Sequence, residues 1–98
     1  YIQFMRLSKS TQKTIREVIV NFDSKAEVLL FGSRTDDSAK GGDIDLLVIS
    51  EILTKRDLRI IKIHLQDQLG MQRFDMVLTS PDLSDPFAKM AFDQGIAL

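Results

Sequence analysis

The chain has 98 residues, 44% of them hydrophobic and 28% charged, with a formal net charge of −1; this supports one ordinary globular domain with one modest core. The charge balance argues against a protein that coats nucleic acid, whose affinity comes largely from Lys and Arg meeting phosphates. No cysteine is present and only one histidine, which excludes disulfides, thiolate metal sites and a His-rich zinc site.

At the start of the chain, Met5 reads as the natural first residue and Tyr1–Phe4 as a cloning remnant. The pattern predicts a first helix from Ser10 to Asn21, with Ser8 or Ser10 as its cap. Its apolar stripe is Ile15, Val18, Ile19 and Phe22. Asp23-Ser24 reads as an exit turn, and Val28 to Phe31 as a short buried strand that stops at Gly32. The polar stretch from Ser33 to Gly42 is loop chemistry. A second strand covers Ile44 to Ile49. Thr54 and Asp57 form a capping box for a second helix that carries Leu58, Ile61, Leu65 and Leu69 on one face. Gly70 stands where a left-handed cap belongs. Phe74 to Leu78 is a third strand, with Phe74, Met76 and Leu78 alternating against Asp75 and Val77. Pro81 and Pro86 punctuate a loop, and a last helix runs from Phe87 to Asp93 and stops at Gly95. No apolar run approaches the roughly 20 residues that span a bilayer, and no signal peptide is visible. The expected location is the cytoplasm, with no membrane partner.

The chemistry gathers between Phe31 and Ile49, which read FGSRTDDSAKGGDIDLLVI. A buried strand that ends at Gly32-Ser33 and turns polar exposes backbone N–H groups suited to phosphate oxygens. Gly32 permits close approach, and the Ser33 hydroxyl adds a donor. Asp43 and Asp45 lie two apart at the mouth of an apolar strand, so both carboxylates project to one side. Like carboxylates held together invite a proton or a cation, and Mg²⁺ suits a few carboxylates with substrate phosphates. An isolated D-x-D is a weak signal, more often a turn residue followed by an exposed strand residue. Its coupling to a Gly-Ser strand end upstream sharpens it. Arg34 fits either a phosphate or a salt bridge to Asp36 or Asp37, and Lys40 is a weaker version of the same. His64 is assigned no role, and Met71, Met76 and Met90 read as fillers.

The pattern of Gly32-Ser33, nine intervening residues, then Asp43-Ile44-Asp45 and the apolar run Leu46-Leu47-Val48 resembles the signature of the DNA polymerase beta-like nucleotidyltransferases. With Arg34 after Gly-Ser and the ending Ala91-Phe92-Asp93-Gln94-Gly95-Ile96, it looks like their minimal nucleotidyltransferase (MNT) branch. The resemblance covers nearly all of the chain from Thr11 onward and implies a single domain over 5–98. The implied fold is α/β (α+β): a small mixed three-stranded sheet with three to four helices. It also implies a third acid on a later strand, for which Asp75 is placed correctly. An antiparallel first pair and a parallel crossover through the second helix would gather Ser33, Asp43, Asp45 and Asp75 on one rim of the sheet.

The resemblance implies transfer of a nucleoside monophosphate, by family default AMP from ATP, to a hydroxyl. Gly32, Ser33 and Arg34 would bind phosphates. Asp43, Asp45 and Asp75 would be the catalytic and metal-binding acids for Mg²⁺, two ions being the expected number. A domain this small implies an acceptor site completed by a partner, in this branch a HEPN-domain protein in a toxin–antitoxin pair, adenylylated on a hydroxyl, with tyrosine the expected side chain. Two other functions stay open: an antitoxin that neutralises by contact alone, and transfer to a small molecule or an RNA end. The near-neutral charge disfavours nucleic acid, and the oligomeric state is not fixed.

Overall fold

A computed structural model of the protein describes residues 8–31, 44–70 and 73–98. The expected remnant Tyr1–Phe4, the expected start at Met5, the Ser33–Gly42 loop and Met71 lie outside those residues. Helix α1 is Lys9–Phe22, strand β1 Glu27–Phe31, strand β2 Ile44–Ile49, helix α2 Lys55–Leu69, strand β3 Phe74–Thr79, helix α3 Pro86–Gln94 and strand β4 Ile96–Ala97.

Local chemistry fixes the helix ends. Ser8 caps α1 by accepting from the Thr11 N–H at 3.1 Å. The Thr54–Asp57 box is formed in both directions at the start of α2, with the Thr54 N–H donating to Asp57 Oδ2 at 2.9 Å. Gly70 closes α2 with positive φ (87°), which favours glycine, but its ψ of −162° is extended, so the chain leaves outright and makes no left-handed turn. Pro86 belongs to α3 and not to the loop before it. It occupies the first turn, where its missing N–H is harmless, behind the cap residue Asp85.

The sheet has four strands in the order β3-β2-β1-β4. β1 and β2 are antiparallel, whereas β2 and β3 are parallel across the α2 crossover. The expected three-stranded sheet thus gains β4, two residues paired with Leu29 and Leu30 of β1. Two residues are too few to show an alternating pattern. The Leu98 N–H donates to the Val28 carbonyl at 3.0 Å and Arg16 Nη1 to the Leu98 carbonyl at 2.9 Å, which pins this end to β1 and α1.

Period-two alternation sorts the core into two layers. Val28, Leu30, Ile44, Leu46, Val48 and Phe74 pack under α1 and α2 against Ile15, Ile19, Ile61 and Leu65. Leu29, Leu47 and Ile49 face the other way, against Ala88 and Ala91 of α3. β2 is covered on both faces, which explains its continuous apolar run. No described helix is long and apolar enough to cross a membrane.

Candidate active site

β2 opens with Ile44-Asp45 and β3 with Phe74-Asp75. The parallel register pairs Ile44 with Phe74 and Asp45 with Asp75. Register neighbours in a sheet share a face, with strands about 4.8 Å apart. Buried Ile44 and Phe74 fix the opposite face in the core. Asp45 and Asp75 therefore share the α3 side of the sheet with Leu47, Ile49 and Val77. Asp45 is half-buried and Asp75 exposed. The Ile44 N–H donates to the Arg73 carbonyl at 2.9 Å, so backbone bonding locks the two strand heads together.

The antiparallel register sets Phe31, the last residue of β1, opposite Asp45. Gly32-Ser33 continue the chain directly from Phe31. Phe87 at the start of α3 meets Phe31 edge-on, with ring centroids 5.9 Å apart. The acidic pair is therefore bordered on its β1 side by an aromatic wall.

Of the six residues named from sequence, Asp45 and Asp75 lie in described strands, and the register sets them side by side. Gly32, Ser33, Arg34 and Asp43 lie outside the described residues, as do Asp36, Asp37 and Lys40. Asp43 immediately precedes β2 in the chain. Among the described residues no three acidic, His or Cys side chains cluster as a metal site. Mg²⁺ is commonly held by one or two carboxylates together with substrate phosphates. Two carboxylates in register on one face, one of them open to solvent, fit that requirement. His64 is exposed and stacks at a tilt on Phe22, 5.8 Å between centroids, and so packs away from the acids. Met76 is partly buried against the core and Met90 is exposed.

Asp75 also borders an open groove of about 560 Å³ beside β3, which reading for motifs alone missed. Asp75 lines it together with Lys55, Arg59 and Lys62 of α2. The spacing of four and then three is a visible helical-face signal, but nothing local in sequence says that the face borders Asp75.

The described residues form an α+β domain with a mixed sheet, in which two acids stand in register at neighbouring strand heads. Residues 12–96 match the family model described as a nucleotidyltransferase domain. The chain belongs to that family, within the polymerase beta-like nucleotidyltransferase superfamily. No curated protein matches the chain.

Proposed function

We propose that this nucleotidyltransferase is of the minimal branch, and that it transfers AMP from ATP to a hydroxyl on a partner protein as the antitoxin of a HEPN/MNT pair in the cytoplasm. The observation that carries the catalytic part is the in-register pair Asp45 and Asp75 on one sheet face. The open groove at Asp75 supports an acceptor that arrives from outside the domain.

The roles divide by chemistry. Gly32 and Ser33 hold the β- and γ-phosphates, and Arg34 pairs with a phosphate oxygen. Asp43, Asp45 and Asp75 would hold Mg²⁺, which would neutralise the phosphate charge when bound. Asp75, the exposed acid, accepts the proton of the acceptor hydroxyl. The hydroxyl oxygen then bonds to the α-phosphorus, the bridging bond to the β-phosphate breaks, and pyrophosphate leaves with the electron pair.

The test is to co-purify the protein with its partner from the native host and add Mg²⁺ and α-labelled ATP. Label on the partner is expected. The double variant Asp43→Asn/Asp45→Asn should lose labelling with its circular dichroism intact. Stable partner binding without label would favour neutralisation by contact, and unchanged labelling in the double variant would overturn the assignment of the acids.

A further inference from the structure

β3 is the terminal strand of the sheet, and among the described residues nothing pairs with its outer edge. The Ile44 N–H donates to the Arg73 carbonyl and the Ser50 N–H to the Thr79 carbonyl, at 2.9 and 3.0 Å. In a parallel ladder, alternate residues direct both backbone groups to the same side. Asp75 and Val77 therefore serve β2 along with those two end residues, while Phe74, Met76 and Leu78 present N–H and C=O outward. The strand FDMVLT carries no Lys or Pro to blunt this edge.

α2 runs alongside with Lys55, Arg59 and Lys62, which line the same groove. No ion pair forms on any of the three among the described residues. Seven residues of helix span about 10 Å, which approaches the roughly 13 Å covered by three alternate residues of a strand. The side chains of Phe74, Met76 and Leu78 lie on this α2 face of the sheet, so every second residue of a strand added at the edge would meet the cations.

We propose that the outer edge of β3 takes an extended acidic segment of the partner protein as an added strand, with alternate Asp or Glu side chains against Lys55, Arg59 and Lys62. The segment's backbone bonds to the outward groups of Phe74, Met76 and Leu78, in the strand-addition mode of peptide recognition. Its intervening side chains fall on the opposite face, the face of Asp75, and one of them carries the acceptor hydroxyl. That last assignment rests on the proposed transfer to a protein, whereas the docking does not. Nucleic acid suits the edge less well, because the outward carbonyls repel phosphates.

The test titrates the whole chain with a nine-residue peptide carrying Glu at alternate positions and Val, Thr and one Tyr between. Controls are the same peptide with Lys in place of Glu, and a ten-nucleotide oligothymidine. All are read without ATP or metal, and repeated in Asp75→Asn, so a failure of transfer cannot mask docking. The Glu peptide should bind at low salt and the Lys peptide should not. The Met76 and Leu78 amides should gain exchange protection, while those of Asp75 and Val77, already bonded in the ladder, change little. Lys55→Glu with Arg59→Glu should weaken the Glu peptide about tenfold or more; Lys55 opens α2, where an acid suits the helix end. Absence of Glu-peptide binding, an affinity unmoved by the charge reversal, or tighter protection of this edge by the oligothymidine would overturn the inference.

Discussion

Ser50→Ala tests how the sheet is anchored at the end remote from the acids. Ser50 is buried just past β2, and its hydroxyl works in three directions. Oγ accepts from the Ile52 N–H at 3.1 Å and the Leu53 N–H at 3.0 Å, and donates to Asp23 Oδ2 at 2.6 Å. It thus ties the exit of α1 to the turn before α2. Alanine leaves the buried Leu53 N–H without a partner, a cost of about 1–3 kcal/mol. The Ile52 N–H belongs to a residue 65% exposed, where water replaces the lost bond. For a domain of this size the thermal midpoint should fall by roughly 4–8 °C per kcal/mol. The pH dependence adds a second readout. The Ser50 hydroxyl, followed by the Lys25 N–H, holds the Asp23 carboxyl below its ordinary value of 3.8. A depressed folded-state pKa gives stability that is present above the unfolded value and lost as pH falls through the folded one. The gap between wild type and Ser50→Ala should therefore be widest near neutrality and narrow below pH 3.8. Thermal unfolding followed by circular dichroism across pH measures both. A midpoint within about 2 °C of wild type at pH 7, or a gap that widens in acid, would refute the reasoning. Nucleotidyl transfer per folded molecule should be unchanged, because Ser50 lies about 16 Å along the strand from Asp45.

Asp75→Asn removes one of two acids held in register, and like charges directly opposite on a sheet are destabilising. The metal-free variant should melt slightly higher than wild type, and added Mg²⁺ with ATP should raise the wild-type midpoint more than the variant's. Transfer should fall much further than nucleotide binding; an equal fall in both would make Asp75 chiefly a metal anchor. Gly95→Ala should destabilise by about 1–3 kcal/mol through overpacking. A Cβ there would meet the Ala91 carbonyl oxygen at 2.8 Å and Leu29 Cβ at 3.1 Å. With φ at −80° the backbone itself tolerates alanine, so the penalty is steric. A melting curve that overlays wild type would contradict it.

The placement of Asp45 beside Asp75 was legible because strand geometry is periodic. Asp43 and Asp45 two apart, and Asp75 after a crossover helix, are enough to place acids on one rim, and the observed register sets Asp45 against Asp75. The capping box at Thr54 is a purely local signal, and it formed. What escaped depended on contacts between distant segments. β4 exists because Ile96 and Ala97 find the edge of β1, and Gly95 is required by the closeness of Leu29. Pro86 looked like punctuation because proline at a first helical turn and proline in a loop are alike in sequence. Lys55, Arg59 and Lys62 went unread in the sequence, because the groove that gives them meaning is made with β3.

The most direct test of the acidic centre replaces Mg²⁺ with Mn²⁺ and follows backbone amides by nuclear magnetic resonance with ATP present. Paramagnetic broadening falls with the sixth power of distance, so it locates the ion along each strand. Signals from the heads of β2 and β3, around Asp45 and Asp75, should broaden first, while Ile49 and Thr79 at the far ends of the same strands keep their intensity. Asp45→Asn should weaken the effect at both heads together. Broadening centred on another acidic stretch, such as Asp82 and Asp85 before α3, with the two strand heads untouched, would contradict the account.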